Sequence, residues 1–131
     1  MMLDKVDYWL DLCDDDLRAA KSLFASKDYL WMGFICHLIA EKAIKAVVAS
    51  VTDEIPPKIH HLLKLANMAN LSDDLNEEQK NLLSRLMPLQ IEARYSEHKA
   101  RIAATLTSSY CANLLKETEA FLCWIKAWLG K

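Results

Sequence analysis

A chain of 131 residues and 15.0 kDa is one domain, long enough to bury a core of its own. Its hydrophobic share of 53% is too high for disorder, and the apolar residues are too interrupted by charge for a membrane span. With 16 basic and 18 acidic residues the formal charge is −2, so no global field draws in a polyanion, although a local basic patch stays open.

Only 2 Gly and 3 Pro occur, so turns are few and elements long, which predicts an all-helical protein. From Asp4 to Ala25, Val6, Trp9, Leu10, Cys13, Leu17, Ala20, Leu23 and Phe24 recur at helical spacing and mark the first helix. Asp11 and Asp14 to Asp16 occupy its polar side and read as a solvated face. Ser26-Lys27-Asp28 is a short connection with Asp28 as the expected N-cap, and a link this short makes an antiparallel helical hairpin.

The second helix is expected to run to about Val51. Its middle, Phe34 to Ala46, has two characters. Phe34, Leu38, Ile44 and Val47, with Ala40 and Ala43 between them, give an apolar side. His37, Glu41 and Lys45 stand at i, i+4 and i+8 and form one polar row along the same rod. An exposed Glu41–Lys45 pair adds only about 0.3–0.5 kcal/mol. A buried row is costly unless satisfied, so it marks a specific contact, expected here with the segment around Arg94.

Thr52 to Lys58 breaks the helical pattern, because Pro57 disfavours helix at Pro56. Ile59 to Met68 then reads as a short helix, with His60 at its start as a capping or packing group. Asn76-Glu77-Glu78-Gln79 has the pattern of a capping box. The helix it opens carries Leu82, Leu83, Leu86, Leu89 and Ile91, and Pro88 should kink or end it. Ala93 to Arg101 shows no clean apolar period. Thr107 or Ser108 caps the last helix, whose stripe is Leu114, Leu115, Thr118, Phe121, Leu122, Ile125, Trp128 and Leu129, with Gly130 as its terminator. The expected architecture is all-α: a four-helix up-and-down bundle with one extra short helix, in a single domain spanning 1–131.

Chemistry-bearing motifs are sparse. Two E-x-x-H pairs for a di-iron bundle, H-E-x-x-H, a Gly-rich phosphate loop and G-x-S-x-G are all missing from the sequence. Cys13, Cys36, Cys111 and Cys123 are scattered without C-x-x-C, so no metal site and no cofactor is expected, and buried free thiols in a reducing compartment are. The charged N-terminus, M-M-L-D-K-V-D, lacks the apolar run of a signal peptide, and cytoplasmic residence is the expectation. Trp9, Trp31, Trp124 and Trp128 read as core or dimer-interface groups, with base stacking by Trp31 and Tyr29 as the alternative.

Six pieces in order carry a resemblance: D-L-R-A-A-K at Asp16 to Lys21, C-H-L-I-A-E-K-A-I-K-A at Cys36 to Ala46, P-P-K-I-H-H-L at Pro56 to Leu62, I-E-A-R-Y-S at Ile91 to Ser96, L-T-S-S-Y-C at Leu106 to Cys111 and W-I-K at Trp124 to Lys126. Together they resemble the HEPN family (higher eukaryotes and prokaryotes nucleotide-binding domains), of the type associated with minimal nucleotidyltransferases. The resemblance implies a helical bundle, a homodimer and a nucleotidyltransferase partner in a toxin–antitoxin-like module. It further implies a nucleotide or RNA phosphate as ligand.

Many members of that family are metal-independent ribonucleases that use an Arg and a His with four to six residues between them. Here Arg94 and His98 have three residues between them, and Ser96 replaces the family's usual Pro after A-R-Y. If catalysis exists, Arg94 would clamp phosphate and His98 would move the proton. The ligand reading instead uses Arg94, Lys99 and Arg101 to hold phosphate, with His37, Glu41 and Lys45 as a supporting row. Three functions stay open: an accessory protein of a nucleotidyltransferase, an RNase toxin, and a dimeric interaction module without ligand.

Overall fold

The computed structural model describes residues 4–90, 97 and 99–131. In those residues six α-helices follow one another: α1 Lys5–Ala25, α2 Tyr29–Val51, α3 Leu62–Met68, α4 Glu77–Leu86, α5 Lys99–Thr105 and α6 Ser108–Trp128. Short 3-10 turns at Ser72–Asp74 and Met87–Leu89 flank α4. No strand occurs among the described residues.

α1 starts where the Asp4 carboxylate accepts the Val6 N–H at 2.9 Å. It ends in a Schellman arrangement, with Asp28 N–H on the Leu23 carbonyl and Lys27 N–H on that of Phe24. Lys27 occupies the left-handed position of that motif, at φ 64°, where glycine is usual. This tight turn folds α2 back along α1. Asp28 takes the N-cap position of α2 as expected, but its side chain makes no capping bond, and its carboxylate accepts the Ser26 hydroxyl at 2.7 Å.

α2 is the central rod, packed against α1, α3, α4 and α6. It is buried almost all round: Met32, Gly33, Cys36, Ile39, Ala40, Ala43, Ile44, Ala46 and Val47 lie in the core. Phe34 and Leu38, expected on the apolar side, are only half-buried. Four partners demand apolar residues around the whole circumference, so a single stripe is not what the core selects. At Gly33 an added Cβ would sit 3.0 Å from Leu89 Cδ1, so the missing side chain lets the Met87–Leu89 turn lie close to α2.

The remaining elements follow local signals with two departures. The Asn76 and Gln79 side chains form the full capping box of α4. α4 stops at Leu86, and Pro88 lies in the 3-10 turn beyond it, so the fourth helix has 10 residues against 21, 23 and 21 in α1, α2 and α6. α5 was not visible in the sequence because it buries nothing fully and therefore shows no apolar period. Thr107 caps α6, and Gly130, at φ 75°, closes it with Lys131 N–H on the Lys126 carbonyl. The result is the expected helical bundle, with a short fourth member.

Acidic residues on α1 are not simply solvated. Asp14 pairs with Lys126 of α6 at 2.7 Å and Asp16 with Lys42 of α2 at 2.8 Å, both part-buried, so this face is stitched to its neighbours. Cys13, Cys36 and Cys111 are buried, whereas Cys123 is exposed, contrary to the expectation of four buried thiols.

Candidate functional site

The polar row on α2 points into the molecule. His37, Glu41 and Lys45 are 1%, 4% and 7% exposed, so each must find a partner inside the protein. Lys45 Nζ donates to Glu41 Oε2 at 3.0 Å, one turn away on the same helix. Its ammonium also lies 5.7 Å from the centre of the Trp9 ring on α1, a cation–π contact. Glu41 Oε1 accepts His60 Nδ1–H at 2.9 Å. His37 Nε2 lies 3.1 Å from the His60 carbonyl, which can only accept, so Nε2 carries the proton.

That assignment leaves His37 Nδ1 as a bare lone pair. It has no hydrogen-bond partner among the described residues, and Glu41 Oε1, at 3.7 Å, is too far to give it one. Burial holds the His37 pKa below its ordinary 6.5, outweighing the pull of the nearby Glu41 carboxylate in the other direction. The ring is therefore neutral at pH 7.

His60 is where this network reaches the surface. Its carbonyl and ring nitrogen are both held from α2, while its side chain is 63% exposed. It does not begin the short helix as expected. α3 starts at Leu62, and the neighbouring His61 caps it, with Nδ1 accepting the Lys64 N–H at 3.2 Å. Two bonds to α2 keep His60 outside the helix, a tertiary demand that overrides local propensity. The row expected to meet the Arg94 segment is thus engaged with His60 and Trp9; Arg94 and His98 lie outside the described residues.

The HEPN domain family model matches residues 6–128. The chain belongs to the HEPN family. Its fold is similar to that of TT1696 from Thermus thermophilus, with a TM-score of 0.77, 22% identity, and coverage of 95% of this chain and 98% of that one. At that identity the likeness concerns the fold alone. No curated protein matches the chain.

In this HEPN chain Lys99 and Arg101 are exposed on α5, and no described carboxylate pairs with either. Most other cations are engaged: Arg18 with Asp15, Lys21 with Glu119, Lys42 with Asp16, Arg85 in bidentate fashion with Glu117, and Lys131 with Asp4 and Asp7. Arg101 also lines a groove with Pro88, Leu89, Ile102, Leu106 and Tyr110. Trp31 is half-exposed and meets Phe34 edge to face at 6.2 Å, while Tyr29 is half-buried against Phe24.

Burial pushes the Cys13 and Cys36 thiols up to about 12 and Cys111 up to about 11, which removes them as nucleophiles at neutral pH. Among the described residues no group of three or more His, Cys, Asp or Glu could hold a metal ion, and no helix is long and apolar enough to cross a membrane. Sequence reasoning found the row on α2 but missed its main partner. The signal was present in P-P-K-I-H-H-L, where two adjacent imidazoles follow a proline pair.

Proposed function

We propose that this HEPN protein is a homodimeric accessory protein of a nucleotidyltransferase, in a toxin–antitoxin-like module, and that it binds nucleotide or RNA phosphate without cleaving it. The phosphate is held by Arg94, Lys99 and Arg101. The observation carrying this reading is that Lys99 and Arg101 are both exposed, stand two residues apart on α5, and are engaged by no described carboxylate. Guanidinium and ammonium groups in that state offer charge-assisted bonds to a phosphate without first giving up a carboxylate. Support against catalysis comes from the three-residue interval between Arg94 and His98. The buried row on α2 also spends its acid and its base on internal partners.

Calorimetric titration with ATP and GTP tests the binding. Heat is expected with the wild-type protein and should be lost in Arg94→Ala and weakened in Arg101→Ala. A silent titration with both nucleotides would remove the ligand from the account. The partnership is tested separately by co-purification with the nucleotidyltransferase encoded beside the gene, and the absence of such a neighbour would leave it without support.

A further inference from the structure

The turn Met87–Leu89, α5 and the start of α6 border a groove of about 420 Å³. That volume falls within the range of small-ligand sites, about 300–1,000 Å³. Leu89 and Leu106, both buried, give the groove an apolar floor, and Pro88, Ile102 and Tyr110 stand less covered along its sides. Ile102 is half-buried on a helix that buries no residue fully, so the groove is where the apolar contact of α5 is concentrated.

Two arginines line the same groove in different states. Arg85 gives Nη1 and Nη2 to Glu117 at 2.8 and 3.1 Å and Nε to Asn81 at 2.6 Å, so its charge is neutralised in place. Arg101 is exposed, and no described carboxylate engages it. The groove thus joins one uncompensated guanidinium to a mainly apolar interior. Thr105, also in the lining, spends its hydroxyl proton on the Ile102 carbonyl at 2.7 Å, and its oxygen keeps the capacity to accept a bond.

We propose that this groove seats the nucleoside of a single nucleotide unit, with the base against Pro88, Ile102 and Tyr110 and the phosphate on the Arg101 guanidinium. The proposal rests on the reading of Arg101 as a phosphate ligand and adds to it where the base goes. A bare phosphate on Arg101 would leave the apolar sides in water, whereas a base covers them and a tyrosine ring offers it a face. The Thr105 oxygen is then an acceptor for a ribose hydroxyl. A base paired in a duplex has its faces stacked and its edge engaged, so the groove admits a free mononucleotide or a single-stranded RNA and excludes a duplex.

The test is NMR titration of the labelled wild-type protein with adenosine 5′-monophosphate, with inorganic phosphate and with the single-stranded trinucleotide ApApA. Expected are nuclear Overhauser contacts from the adenine protons to the Ile102 and Leu106 methyls and the Tyr110 ring. The monophosphate should bind about tenfold or more tightly than inorganic phosphate, the contribution of one seated base. Ile102→Ser should weaken the monophosphate about fivefold and leave inorganic phosphate unchanged, because only apolar contact is removed. Arg101→Ala should weaken both about tenfold. Tighter binding of ApApA points to RNA as the source of the nucleotide and tighter binding of the monophosphate to a free one; both uphold the proposal. Equal affinity for phosphate and monophosphate, undiminished affinity in Ile102→Ser, or adenine contacts away from the groove would overturn it while leaving the phosphate reading of Arg101 intact. Silence with all three probes would overturn both.

Discussion

His37 carries its proton on Nε2 and keeps a buried lone pair on Nδ1, so acid is costly at this position. Its pKa is depressed by burial, and the sign follows from which state binds the proton. As pH falls through the ordinary value of 6.5 the unfolded imidazole charges while the folded one resists. The stability it contributes is whole above 6.5 and is lost as pH drops toward the lowered folded value. Urea midpoints measured from about pH 7.5 to 5.5 should therefore fall with acid. In His37→Gln, which retains a donor for the His60 carbonyl, the slope should be shallower; an unchanged slope would deny His37 that role. Lys27 offers a second residue-scale test, since its φ of 64° is strained for any residue with a Cβ. Lys27→Gly should raise stability by about 0.5–1 kcal/mol in thermal or urea unfolding.

At the scale of elements, α2 is held by a charge row that sequence spacing revealed and packing explains. Glu41 touches both Lys45 and His60, so removing it strands a buried ammonium beside Trp9. Glu41→Ala should cost roughly 3 kcal/mol, and Lys45→Met less than that because its ammonium is nearer the surface. The double replacement Glu41→Leu with Lys45→Met should recover much of the loss, leaving a coupling energy in a double-mutant cycle. Purely additive losses would mean the pair does not act as a unit. The elements themselves were legible where local chemistry decides them: the capping box at Asn76, the Thr107 cap, the stop at Pro88 and the Gly130 terminator. They were illegible where tertiary contacts decide. His60 is drawn out of the helix by α2, and α5 leaves no apolar period because nothing covers it fully.

At the scale of the molecule, the bundle is built around one buried rod, and its thiols report how closely it is packed. Cys13, Cys36 and Cys111 are inside and Cys123 is outside, so one thiol of four should react quickly with Ellman reagent in the native protein and all four in denaturant. Rapid reaction of a second native thiol would show the core to be more open than this. The family was legible from six short pieces in order along the chain, and the HEPN family match spans them. The candidate site was legible only in its residue types. Arg94, Lys99 and Arg101 stand close in sequence, whereas the Glu41–His60 contact joins positions 19 apart and needs the fold to be seen. The proposed function turns on binding without cleavage. The most direct measurement is incubation of a labelled single-stranded RNA with the protein, read for retention on a native gel and for integrity on a denaturing gel. The account predicts an RNA that is retained and intact, with retention reduced in Arg101→Ala. RNA cut by the wild type and spared by His98→Ala would contradict it.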